Sequence, residues 1–221
     1  MAALGLRAAG TALAVVLILL VMLWFTWGTQ ENIARGNRLL RWLQTGLPLI
    51  GRRTTLRWVG SSAVELAFVD PVQPFADVTV VVVLEPRDVP WFWALARSHG
   101  RKDFLIFRAR LRSPPRFELE IGDASGWTGS ERIGRLDEDA WAAADWQVPG
   151  LRVFHATGGS SPEAVRPILH RLTEASGGVW RLSVRREPPH VEVHVLPPDP
   201  EAADANELVR AVVDLAGTAA S

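Results

Sequence analysis

The first pattern along the chain is an unbroken apolar one. Residues 8–27 read Ala-Ala-Gly-Thr-Ala-Leu-Ala-Val-Val-Leu-Ile-Leu-Leu-Val-Met-Leu-Trp-Phe-Thr-Trp and hold no charge. At about 1.5 Å per residue, a helix over this stretch covers about 30 Å, the thickness of a bilayer's hydrocarbon core. No second run of this kind follows. The pattern predicts one membrane-spanning helix with one domain beyond it. A secretory signal would have a shorter apolar region, about 7–15 residues, and then small residues at a cleavage site. Here Trp24, Phe25 and Trp27 close the run, as in the aromatic belt of a retained span.

Beyond the span, Thr29 is placed to cap a helix that runs to about residue 45 and is ended by Gly46 and Pro48. On a helical wheel Arg35, Arg38 and Arg41 share one arc, and Ile33, Leu39, Leu40 and Leu43 share the other. Such a helix suits the membrane surface, with Trp24, Trp27, Arg35, Arg38 and Arg41 at the interface and the arginines on anionic headgroups. It equally suits a plain extension of the span packed on the domain.

Alternation of apolar and polar residues over 54–59 and 63–69, with Gly60-Ser61-Ser62 between them, predicts a hairpin. The β-branched run 78–84 predicts a central strand buried on both faces. Asp88 is placed to cap a helix over 89–98, ended by Gly100. Strands follow at 104–112 and 116–121, joined across Ser113-Pro114-Pro115, and then a Gly-, Asp-, Ser- and Trp-rich loop over 122–150 with a helical turn near 138–144. A strand at 151–157 leads through Gly158-Gly159-Ser160-Ser161-Pro162 into a helix to about 176. Pro167 either kinks that helix or moves its start. Strands at 179–186 and 190–196 join across Glu187-Pro188-Pro189. A last helix follows Asp199-Pro200, with Leu208, Val212 and Leu215 as its apolar stripe.

Residues 112–121 resemble residues 186–195, and each ends a strand–helix–strand–strand series. The expected fold is therefore α+β: an N-terminal single transmembrane helix followed by one soluble domain, a mostly antiparallel sheet with helices, in two tandem strand–helix–strand–strand units. The expected organisation is 1–28 as N-terminal tail and anchor, 29–53 as basic juxtamembrane amphipathic helix and linker, and 54–221 as soluble α+β domain.

Composition narrows the function classes. Apolar content of 48% and charged content of 22% are those of a folded chain. The absence of cysteine excludes disulfides, thiolate catalysis and cysteine-ligated metal. Net charge is zero but uneven. Residues 28–57 hold six arginines against Glu31, and Arg7 precedes the span, so residues 58–221 carry a surplus of six negative charges. An acidic distal domain argues against a nucleic-acid partner. The arginines after the span favour a cytoplasmic domain.

Among candidate sites, Gly158, Gly159, Ser160 and Ser161 join a strand to a helix start, where free amides suit a phosphate or carboxylate; an ordinary turn with Ser161 as cap is the plainer reading. His190, Glu192 and His194 project from one face of a strand. The outer two are about 13 Å apart on an extended strand, too far to share one ion, so a solvated polar face is expected. Trp91-Phe92-Trp93 reads as a core plug or as a membrane or partner contact, and Trp127, Trp141 and Trp146 as a cavity lining or a cover for the sheet. His155 and His170 have no evident partners, and the standard nucleotide, zinc-protease and hydrolase motifs are absent. No cofactor is implied. The expected function is a non-catalytic binding or scaffolding module at the cytoplasmic membrane face, with the bilayer and a protein as partners. The alternative is a membrane-tethered enzyme or small-ligand protein using the turn at 158–161.

Overall fold

The computed structural model describes residues 2–123 and 140–221. Its first element, helix α1 (Ala2–Leu43), is one unbroken rod of 42 residues. One helix in the described residues, near the N-terminus, is long and apolar enough to cross a membrane, with a mean hydropathy of 2.4 in its most apolar window. The large apolar side chains from Leu13 to Leu23 lie exposed. The second half behaves differently. Leu39, Leu40, Trp42 and Leu43 are buried in the core of the domain. The helix therefore extends the apolar run and packs on the domain, and Leu47 and Ile50 just beyond it join the same core. No cap interrupts it at Thr29, whose hydroxyl is buried without a partner.

The domain is built on a nine-stranded sheet in which every neighbouring pair is antiparallel. The strands are β1 (Arg53–Trp58), β2 (Ala63–Val69), β3 (Phe75–Val83), β4 (Phe104–Leu111), β5 (Leu119–Asp123), β6 (Trp141–Ala144), β7 (Leu151–Ala156), β8 (Val179–Val184) and β9 (Val191–Val195). Their order is β1-β2-β3-β4-β9-β8-β5-β7-β6. The helices are α2 (Pro90–Ser98), α3 (Arg166–Glu174) and α4 (Ala205–Ala220).

Period-two alternation decides which face each strand residue covers. Leu105, Phe107, Ala109 and Leu111 of β4, Leu119 and Ile121 of β5, Leu182 and Val184 of β8, and Val191, Val193 and Val195 of β9 join one core with α3, α4 and the end of α1. Close approach of backbone matters at Gly46, where a Cβ would lie 2.8 Å from the Ala205 carbonyl oxygen and 2.7 Å from a Val209 methyl.

Several expectations need correction. The two strand–helix–strand–strand series are not equivalent in the sheet: β3 pairs with β4, whereas β5 separates β7 from β8. Pro188-Pro189 closes the β8–β9 hairpin, but Pro114-Pro115 lies on a connection that passes β9 and β8 before β5 joins. Strand β3 is buried on one face and half-buried on the other: Val78, Val80 and Val82 are buried, and Thr79, Val81 and Val83 are half-buried. Residues 141–144 form the edge strand β6 and not a helical turn. Trp127 lies outside the described residues. Asp88 does not cap α2; it accepts from Ser61 Oγ at 2.6 Å, and Val89 occupies the cap position. Helix α4 is capped by Asp204, which accepts from the Asn206 amide at 2.9 Å.

Candidate functional site

The sheet's second face carries the chemistry. Its polar positions come from four adjacent strands, and the register lines them up. Arg108 of β4 lies opposite Glu192 of β9, Glu192 opposite Ser183 of β8, and Ser183 opposite Glu120 of β5. In the next row, His194 lies opposite Arg181. These residues form one connected network.

Glu120, only 1% exposed, is its hub. It accepts from Arg181 Nε at 2.6 Å, Ser183 Oγ at 2.8 Å and Arg185 at 2.8 Å. Arg181, with a side chain 4% exposed, reaches a second carboxylate, Glu192, at 2.6 Å. Glu192 also accepts from Arg108 at 3.2 Å and meets His194 Nε2 at 2.6 Å. Buried charges persist only when paired and hydrogen-bonded, and each carboxylate here has at least three partners. Burial alone would raise the Glu192 carboxyl. The hydrogen bond and charge of His194, with Arg181 and Arg108, outweigh it and bring the group down to about 2.

The rest of the face fixes these groups. His194 stacks on Phe104, with ring centroids 6.2 Å apart, and its Nδ1 is buried with no hydrogen-bond partner. Phe104, Ile106 and Trp180 form a small apolar cluster beside it. The Arg185 guanidinium lies 4.2 Å from the centroid of the Trp141 ring. A cleft of about 620 Å³ opens along the network, lined by Glu118, Arg181, Arg185, Glu187, Pro188 and Glu192 among others.

The residues singled out from sequence fall in different places. His190 leaves the strand and accepts from the Leu111 amide at its Nδ1, at 2.9 Å, and burial holds its pKa below the ordinary value. The solvated face expected around Glu192 and His194 is instead the ion network. Gly158, Gly159, Ser160 and Ser161 lie exposed on the loop after β7. The Ser160 amide donates to the Arg116 carbonyl at 3.2 Å, Pro162 is followed by a short 3-10 turn (Glu163–Val165), and α3 begins only at Arg166. Trp146 is buried in the core and donates to Glu163 at 3.1 Å. His155 Nδ1 is 3.3 Å from the Ala156 carbonyl, and His170 Nδ1 is 3.2 Å from Glu174 one turn away.

A second polar cluster ties α1 to the domain. The Trp24 indole donates to the Arg87 carbonyl at 3.0 Å. Asn32 is fully buried between the Glu85 carbonyl and the Arg87 guanidinium. Arg87 also holds Asp103 at 2.9 Å. Arg35 pairs with Glu31 at 2.6 Å and approaches Asp103 at 3.8 Å. Along a straight helix Arg35 lies about 12 Å past Trp27, and Arg41 about 21 Å past it. Trp24 and Trp27, with ring centroids 5.4 Å apart, thus mark the level at which the bare half of α1 meets the domain.

Comparison with known proteins finds no matching family model and no curated protein of similar sequence.

Proposed function

We propose that this protein is a single-pass membrane-anchored, non-catalytic binding or scaffolding module, with its domain in the cytoplasm and its cleft face turned to a protein partner. The observation that carries the anchoring is the division of α1 into a bare apolar half and a half packed in the core. An exposed apolar surface of that length has no stable place in water, and a bilayer matches it. The arginines on the domain side of the span support a cytoplasmic domain.

The cleft face supports recognition over proton transfer. Glu192, held at about 2, is too weak a base for neutral pH. His194 Nδ1 is sealed from solvent, and the Glu120 oxygens are occupied by Arg181, Ser183 and Arg185. Such a face is rigid, polar and preorganised, which favours specific docking.

The chain lacks cysteine, so one introduced at Ser221 is a clean probe. In intact cells it is expected to resist a membrane-impermeant maleimide until the membrane is opened, and the protein is expected to stay with membranes in alkaline carbonate. Labelling of intact cells would reverse the orientation, and release by carbonate would remove the anchor. A photo-crosslinker at Glu187, on the cleft rim, is expected to capture a protein that the same probe at Arg210 on α4 does not. Equal capture at both positions would defeat the docking face. A saturable thermal shift with phosphate or carboxylate compounds would favour the small-ligand alternative.

A further inference from the structure

Helix α2 poses a problem that the domain does not solve. None of its side chains is buried. Trp91, Phe92 and Leu95 are 58%, 56% and 55% exposed. Apolar side chains of this size clustered on a nine-residue surface helix mark a contact with something else. Phe92, Leu95 and Ala96 also line an apolar cleft of about 460 Å³ with Pro86, His99 and Arg101. The core-plug reading of Trp91-Phe92-Trp93 is therefore wrong for the first two residues.

The position of α2 says what covers it. Trp93, in the first turn, packs its ring 5.9 Å from Trp24 and donates to Glu85 at 2.6 Å. Just before the helix, the Arg87 carbonyl takes the Trp24 indole and sits against Gly28, where a Cβ would lie 2.1 Å from that oxygen. These contacts hold α2 at the level of Trp24 and Trp27, where the bare apolar surface of α1 ends. Residues 90–102 include Arg97, Arg101 and Lys102 and no acidic residue.

We infer that α2 is a second membrane contact: its Trp91, Phe92 and Leu95 side chains enter the headgroup–acyl boundary of the leaflet that α1 leaves, with the basic residues toward anionic headgroups. This rests on reading α1 as a span. Tryptophan and phenylalanine suit that boundary, and surface helices of this kind bury their apolar face about 5–10 Å into it. The exposed surfaces of α1 and α2 then face one medium. The contact also fixes the domain against rotation about the span, which one helix alone would allow.

Single-cysteine variants Leu17→Cys, Phe92→Cys and Glu187→Cys of the full chain are labelled with an environment-sensitive fluorophore. They are reconstituted in vesicles of phosphatidylcholine and phosphatidylglycerol containing nitroxide-bearing lipids. The Phe92 probe is expected to lose most of its emission to a nitroxide near the headgroup, the Leu17 probe to one deep in the acyl chains, and the Glu187 probe to neither. Quenching at Leu17 without quenching at Phe92 overturns the α2 contact and leaves the span intact. Absence of quenching at Leu17 overturns the span itself. A Phe92 probe that is blue-shifted yet untouched by lipid nitroxides means that protein, such as a second copy of this chain, covers α2, and that also overturns the inference.

Discussion

Replacing Arg181 tests whether the polar face is a surface ornament or part of the fold. Arg181→Met keeps the aliphatic stem and removes the guanidinium that joins Glu120 to Glu192. Removing one partner of a buried pair costs about 3–5 kcal/mol, because the remaining charge is left uncompensated. Glu120 would keep Arg185 and Ser183, and Glu192 would keep Arg108 and His194. The lower end, about 3 kcal/mol, is therefore expected. For a chain of this size that is a fall of about 6–12 °C in melting temperature. Glu120→Met is expected to cost less, about 2 kcal/mol, since Arg181 retains Glu192 and Arg185 can turn to solvent. The double variant has no isolated charge at the hub and is expected to be less destabilised than the two costs added, by about 2 kcal/mol. Thermal melting of the full chain in mild detergent, followed by circular dichroism, closes the double-mutant cycle. Strict additivity, or losses below about 0.5 kcal/mol for each single variant, would refute the argument by making the network no stronger than a surface pair.

Two further outcomes follow from the same contacts. The Glu192 carboxyl is lowered in the fold from 4.5 to about 2, so its contribution to stability is present above about 4.5 and is lost as the pH falls toward 2; a Glu192→Gln variant is expected to flatten that part of the acid-stability profile measured by melting. Gly28→Ala would set a Cβ 2.1 Å from the Arg87 carbonyl oxygen, a backbone atom that cannot swing aside, and is expected to push residues 85–93 off α1. Faster proteolysis within residues 85–103, with the sheet's circular dichroism unchanged, is the signature of that local release.

The apolar run, the β1–β2 hairpin, the paired strands β8 and β9 and the final helix were all legible, because each depends on local periodicity and turn chemistry. Strand order was not. The similarity between residues 112–121 and 186–195 is real in sequence, but β5 pairs with β7 and β8 through contacts that no local pattern encodes. Part of the ion network is legible in the β8–β9 hairpin. Arg181, Ser183 and Arg185 alternate on one arm of a hairpin, and Glu192 and His194 alternate on the other. Aligning the arms across Pro188-Pro189 sets Ser183 opposite Glu192. What stayed hidden was Glu120, which arrives from a strand some sixty residues away and turns an expected solvated face into a buried one. Glu192→Ala, which a solvated face would tolerate, therefore removes a carboxylate with three partners.

If the bare apolar half of α1 crosses a membrane, as proposed, one rod is span at one end and core helix at the other, with no joint between them. From Trp27 to Leu43 the rod extends about 24 Å, so a tilt of about 20° moves its far end sideways by about 8 Å. Changes in bilayer thickness, which helices absorb by tilting, would reach the sheet as changes in the height and pitch of its cleft. The domain would then behave as the head of a lever, with the lipid setting its angle.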